Sequence, residues 1–416
     1  METKLADFIA GTAQGREAEE ILRRCVHCGF CTATCPTYQV LGDELDGPRG
    51  RIYLMKQMLE GAPTSRETMK HLDQCLTCRN CETTCPSGVQ YGRLVDIGRE
   101  VVEQRVSRPW PQRLVRSLLR EGLTSPWFAP AFRLGQLVRG VLPRVLASKL
   151  PLVRPAGPLP QTAHHKRQVL ALKGCVQPTM IPTIDAAMIR ILDRLGIGVM
   201  TPSQGGCCGA LRQHLADPEG ARDDARRNID AWWPLVDAGG VEAVVVNASG
   251  CGVMVKDYGH LLADDPAYAQ KAKRVAELAI DPVELLESHL PQLQALLSQT
   301  QAGARSPRRL AYHPPCTQQH GLKIRGTVER LLQGLGAECL PVADAHLCCG
   351  SAGTYSVLQP GLATELKSRK VQALTAHQPE MILSANVGCI THLESGTSVP
   401  VRHWLEWLDA RLNAVH

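Results

Sequence analysis

This 416-residue chain has no run of about 18 apolar residues, which excludes a membrane-spanning helix of ordinary length. Its opening stretch, METKLADFIAGTAQGREAEE, lacks the apolar core and small-residue cleavage site of a secretory leader. The chain is therefore expected to stay in the cytoplasm. No Gly-x-Gly-x-x-Gly stands at a strand-to-helix turn, so the common dinucleotide-cradling loop is missing. Acidic residues are almost absent from 105–154, which holds ten Lys/Arg and one acid, Glu121. That segment carries +9 of a chain total of +6, which leaves −3 for the rest. Positive charge confined to one segment gives no general nucleic-acid surface, and none is expected.

What the chain does have is cysteine, 17 of them. Cytoplasmic thiols stay reduced, so these read as metal ligands or redox groups rather than disulfides. A hydrophobic content of 44% supports a globular protein, and the length allows two or three domains.

Spacing sorts the cysteines into two systems. The pattern Cys-x2-Cys-x2-Cys-x3-Cys-Pro occurs at Cys25, Cys28, Cys31 and Cys35, and again at Cys75, Cys78, Cys81 and Cys85, an offset of 50 residues. Three thiolates two residues apart wrap one face of an iron–sulfur cube. The fourth points away and serves the other cluster in two-cluster ferredoxins. On that rule Cys25, Cys28, Cys31 and Cys85 hold one 4Fe–4S cluster, and Cys75, Cys78, Cys81 and Cys35 hold the second. Pro36 and Pro86 give each loop a sharp exit. Zinc is the competing reading, but it favours two Cys-x2-Cys pairs with a longer loop between them. Between the motifs, RGRIYLMKQMLEG predicts a helix.

The second system is a repeat. Cys175, Cys207, Cys208 and Cys251 in one unit correspond to Cys316, Cys348, Cys349 and Cys389 in the other. Each Cys-Cys is followed by Gly. RQVLALKGC and RRLAYHPPC read as strands ending at a cysteine, with TIDAAMIRILDRLGI and GTVERLLQGLGA as helices after them. GVMTP and AECLPV, then VEAVVVNASGC and PEMILSANVGC, read as further strands. Each unit is thus strand–helix–strand–helix–strand with a parallel sheet, and its cysteines are expected on loops at strand ends. The glycines of QGGCCGA and LCCGSAG would let the backbone approach a ligand. Each set of four could hold a cluster or zinc, act as a redox dithiol, or simply pack. Cys339, without a counterpart, reads as a buried strand residue. His313 and His392 read as polar loop residues, with proton donation as the alternative.

The fold class that follows is α+β multidomain: a helical two-cluster ferredoxin domain and two α/β cysteine-rich repeats with short parallel sheets. The divisions are 1–104 for the ferredoxin domain, 105–165 for a basic amphipathic helical linker, and 166–305 and 306–416 for the two units. In the linker, Leu114, Val115, Leu118 and Leu119 form one apolar stripe; Leu134, Leu137, Val138, Val141 and Leu142 form another. Trp110, Trp127 and Phe128 sit at the breaks. Packing on a partner subunit or on the ferredoxin domain is the preferred reading. Peripheral contact with the cytoplasmic face of a membrane is the alternative.

This arrangement resembles the glycolate oxidase iron–sulfur subunits. RCVHCGFCTATCPTYQVLGDELDGPRGRIYLMKQMLEG and HLDQCLTCRNCETTCPSGVQYGRL carry the resemblance most specifically. Related groups are the corresponding iron–sulfur subunit of anaerobic glycerol-3-phosphate dehydrogenase, lactate-utilisation iron–sulfur proteins and heterodisulfide reductase subunits. The resemblance implies an electron-transfer subunit of an oxidoreductase, inactive alone, with no catalytic residue of its own. FAD would sit on a partner subunit that oxidises glycolate to glyoxylate, and electrons would leave toward the quinone pool. The alternative is the same role in a lactate or glycerol-3-phosphate dehydrogenase, or in a heterodisulfide-reductase-like complex. In that last branch each unit ends Cys-x2-Cys. Here Met254 and His392 replace the final cysteines, which argues against its unusual clusters and disulfide chemistry. Two further readings concern the repeats: catalytic units that reduce a disulfide or quinone, or a zinc-stabilised docking module.

Overall fold

The computed structural model describes residues 1–141, 154–162, 164–299 and 307–413. Helices Ala13–Arg24, Pro48–Leu59, Arg66–Asp73 and Tyr91–Arg105 enclose the first core. Ile21, Leu22, Met55, Leu59, Leu72, Leu94 and Val102 meet there, fully buried. The helix expected from RGRIYLMKQMLEG forms, opened by Pro48 in its first turn, where a missing N–H costs nothing. Thr12 and Ser65 cap two of these helices by accepting backbone N–H bonds from Gly15 and Thr68.

The two cysteine-rich units follow one plan. The first sheet is built from β1 (Arg167–Ala171), β2 (Ile197–Met200), β3 (Val244–Val245) and β4 (Ala279–Ile280). The second comprises β5 (Arg309–His313), β6 (Glu338–Leu340), β7 (Met381–Ser384) and β8 (Val401–His403). Their orders are β2-β1-β3-β4 and β6-β5-β7-β8, all parallel. The expected three-strand plan is short by one strand in each unit. β4 and β8 run only two and three residues and lie after the last cysteine of each unit, outside the repeated motif that marks the equally short β3 and β6.

The units do not have separate interiors. Val169 and Ile197 of the first pack in one cluster with Leu310, Leu383 and Trp404 of the second. Arg190 and Asp409 close that joint with an ion pair at 2.6 Å.

Helices Trp110–Thr124 and Phe128–Leu137 form the linker, and none of their residues is buried. Their inner and outer faces both mix charged and apolar residues: Leu119, Leu123, Phe128 and Phe132 face the cleft and Arg113 and Arg133 face outward. Arg116 turns inward to Asp73 at 3.5 Å, and Glu121 to Arg212 at 2.8 Å. Leu114, Val115, Leu118, Leu134, Leu137 and Val141 face outward. The ferredoxin domain therefore does not cover these members of the stripes, whereas Leu119 turns toward the interior. Leu142, the last member of the second stripe, lies outside the described residues. No described helix is long and apolar enough to cross a membrane.

Candidate functional site

The two ferredoxin loops share one backbone conformation. His27 and Gly29 in the first, and Thr77 and Arg79 in the second, all have positive φ, at 54°, 85°, 52° and 58°. Three of these four are not glycine. L-residues enter that region at a cost, and the cost recurs here at functional loops. The reversal turns each Cys-x2-Cys-x2-Cys run around a common centre. Short helices Phe30–Ala33 and Asn80–Thr84 then carry the chain to the fourth cysteine.

Cys85 joins the first trio: the Cys31 thiol feels Cys25, Cys28 and Cys85, and these four line one small cavity with Pro86, which Cys81 of the other trio also borders. Cys35 joins the second trio, beside Cys78 and Cys81. Burial pushes the Cys31 thiol up to about 11, and drives Cys78 and Cys81 well above the ordinary range. Thiolates in such places need a cation, which iron supplies. Each set therefore fits a four-thiolate cluster.

Hydrogen bonds surround the second set. Thr37 Oγ1 lies 3.2 Å from Cys35 Sγ, the Thr77 N–H donates to Cys75 Sγ at 3.4 Å, and Tyr91 O–H reaches Cys75 at 3.7 Å. Behind them Arg51, 1% exposed, donates to Thr37 and Asp46 and to the His71 carbonyl. Contacts of this kind set a cluster's potential.

In the repeats the cysteines follow strand ends as expected, with one correction. Cys251 and Cys389 lie in the first turns of helices Ser249–Lys256 and Val387–Glu394, not on loops. Cys316 caps a short π-helical turn, Thr317–Gly321. Gly209 and Gly350 have φ of 91° and 87°; a Cβ there would meet the Ala221 or Ala363 carbonyl oxygen at 2.9 or 2.7 Å. Their N–H groups donate to Cys207 and Cys348 at 3.4 Å. These glycines serve the turn and a helix behind it, rather than ligand approach.

The thiols touch one another within each unit. Cys175 and Cys207 are 3.5 Å apart, and Cys316 and Cys348 are 3.8 Å apart. The Cys175 thiol donates to Cys207, as does Cys208, so Cys207 is held below the ordinary thiol range while Cys175 rises. The units face each other: Ser249 and Thr317 hydroxyls lie 2.7 Å apart, and Asn386 donates to Ser249. A cleft of about 1120 Å³ lies between them, the ferredoxin domain and the linker. Cys78, Cys175, Cys207, Cys251, Cys316 and Cys348 all open onto it.

Comparison with known proteins finds family models over both cysteine systems. The family model "4Fe-4S dicluster domain" matches residues 21–89, and "Cysteine-rich domain" matches 169–256 and 310–394. The "Glycolate oxidase iron-sulfur subunit" of Escherichia coli K12 is 51% identical over 99% of both chains. The "Probable glycolate oxidase iron-sulfur subunit" of Bacillus subtilis 168 is 30% identical over 96% of this chain and 93% of its own. The chain belongs to the glycolate oxidase iron–sulfur subunit family. "Lactate utilization protein A" of an Exiguobacterium species matches more distantly, at 26% over 56% of this chain and 94% of its own.

Within this family member, three site residues differ from their sequence reading. His313 is not a loop residue: it ends β5, 1% exposed, beside Cys349 and Cys389. His392 lies on a helix, with Nε2 3.1 Å from the Ala363 carbonyl. Cys339 sits in β6 as expected but only half-buried, its thiol against the Glu329 carbonyl and apart from both cysteine sets. Cysteine spacing gave no hint of Arg51. Only an arginine inside an apolar helix, at "GRIYLM", marked it.

Proposed function

We propose that this chain is the electron-transfer subunit of a flavin-dependent glycolate oxidase, accepting electrons from an FAD-bearing partner and delivering them toward the quinone pool. The observation that carries this is the exchange of fourth cysteines: Cys85 stands with Cys25, Cys28 and Cys31, and Cys35 with Cys75, Cys78 and Cys81. These eight residues are the proposed ligands. When bound, two 4Fe–4S clusters supply one-electron storage and relay, which separates the electron pair leaving a flavin.

The two sets have different surroundings, and that gives the subunit a direction. Cys28 is exposed, and near it Val26, Phe30 and Tyr53 present apolar surface at 67%, 63% and 47% exposure. An apolar patch around an exposed ligand is a docking face, here for the flavin partner. Cys78 instead opens on the internal cleft.

The acceptor side is the linker. Its outward Leu and Trp residues, with Arg113 and Arg133 among them, suit an anionic membrane surface. Its inner side, through Leu119, Leu123, Phe128 and Phe132, bounds the cleft, whose size suits a quinone ring.

The test uses membranes from cells with and without this chain, supplied in turn with glycolate, D-lactate, L-lactate and glycerol-3-phosphate. Loss of soluble-quinone reduction with glycolate alone supports the assignment. Loss with another substrate instead replaces the named enzyme.

A further inference from the structure

His313 ends β5 at 1% exposure, and neither of its ring nitrogens has a hydrogen-bond partner. Buried imidazole nitrogens are normally paired, so something is expected to bind this one. Its ring nitrogen and the thiols of Cys349 and Cys389 all lie within 4.8 Å of one another, with all three residues buried. Cys316 and Cys348, 3.8 Å apart, continue the same group of sulfurs.

Those spacings discriminate between metals. Thiolates on one tetrahedral zinc, at about 2.3 Å from it, stand roughly 3.8 Å apart. Thiolates on separate irons of a cube stand roughly 6 Å apart. Among the described residues, no three ferredoxin cysteines gather within 4.8 Å, whereas His313, Cys349 and Cys389 do. The first unit lacks the group as well: Leu172 stands where the second unit has His313.

Charge agrees. A divalent ion with three thiolates and a neutral imidazole carries one net negative charge. Lys370, 3% exposed, is the buried cation facing Cys349, Cys348 and Cys316. Its ammonium is anchored on the Asp344 carbonyl at 2.6 Å.

The geometry points to a mononuclear zinc-type site in the second unit, held by His313, Cys349, Cys389 and one thiol of the Cys316–Cys348 pair. Cys316, Cys348 and Cys389 border the cleft, but four protein ligands fill a tetrahedral shell and leave no position for substrate, so the ion is structural. It ties the end of β5 to the helix after β7 and to the Cys-Cys-Gly turn, beneath the second ferredoxin motif. This goes beyond electron transfer and does not depend on which substrate the partner oxidises.

Metal analysis of the purified complex tests it. The expected result is about one zinc per copy of this chain beside about eight irons. His313→Leu loses the zinc and keeps the iron and the cluster EPR signals; His313→Cys keeps both. Protein from cobalt-supplemented cells shows the thiolate-to-cobalt band of a tetrahedral site, and His313→Leu abolishes it. Zinc retained in His313→Leu overturns the proposal. So does the loss of about four irons in that variant, which would make this a cluster site. If His313→Leu fails to fold, X-ray absorption of the wild type decides. Three sulfurs and one nitrogen around zinc support the site; a wild type without zinc, or an all-sulfur shell, refutes it.

Discussion

Cys78, in the second ferredoxin motif, faces Cys316, the first cysteine of the second repeat. Cys348 stands on the same side. The contact is held by Tyr355, which donates to the Gln74 carbonyl at 3.0 Å, and by Asn80, which donates to the His346 carbonyl at 3.4 Å. The ferredoxin motif and the repeat thus form one continuous interior, which a chain of independent modules would not have.

Cys78→Ser removes one ligand of the inner set. Iron falls from about eight to about four per chain. Quinone reduction stops, while the flavin partner still reduces an artificial acceptor with substrate present. Iron assay and both activities check this; full quinone reduction in the variant would remove Cys78 from the relay. Cys339→Ser, away from both cysteine sets, leaves metal content unchanged.

Arg51 and Asp46 are 1% and 5% exposed and 3.3 Å apart. In Arg51→Met the buried carboxylate keeps only His71, at 2.9 Å. Breaking such a pair costs about 3–5 kcal/mol, read as a fall in Tm. Arg51→Lys recovers only part, because a compact ammonium lacks the planar fork whose Nε, Nη1 and Nη2 reach the His71 carbonyl, Thr37 and Asp46 separately.

Acid weakens the joint between the two units. His403 is fully buried, with Nε2 3.1 Å from the Asn247 carbonyl of the other unit. Burial holds its pKa down to about 3 against an ordinary 6.5, although the carbonyls of Asn247 and Ala385 oppose the shift. Below pH 6.5 the unfolded chain takes a proton that the fold refuses. Stability from this group is therefore full above pH 6.5 and is lost as pH falls toward 3. Asp281 acts oppositely: burial raises it to about 6, so the fold binds the extra proton there. Comparing wild type with His403→Gln isolates the histidine. Between pH 7 and pH 5 the wild type should lose about 2 kcal/mol more in denaturant unfolding.

Membrane contact is checked by flotation of the complex with anionic vesicles at low salt. Binding is expected, with a fall at high salt as the arginines are screened. Trp127, 79% exposed, and Leu118, 63% exposed, are the anchors. Trp127→Asp with Leu118→Asp should abolish flotation and leave iron content intact. A complex that never floats assigns the outward stripes to a partner subunit.

Both cysteine systems, the repeat and the order of the main elements are legible in the sequence. Ligand loops close within a few residues, so spacing alone records them, and a duplicated unit repeats its offsets. β4 and β8 escape because they follow the last cysteine of each unit, outside the repeated motif that marked the equally short β3 and β6. Other features needed the folded chain. The direction of the linker helices, with Arg116, Leu119 and Leu123 turned in and Leu114, Val115 and Leu118 turned out, depends on Asp73 and Arg212 from distant parts of the chain. His313 becomes a metal-site residue only once β7 and its following helix bring Cys389 beside it. Cys78 meets Cys316 only because the second unit closes over the ferredoxin domain. Sequence alone determined which thiols the protein has and how they are grouped along the chain. Tertiary structure decided what each group faces, because burial, charge pairing and contact between remote segments arise only when the chain packs.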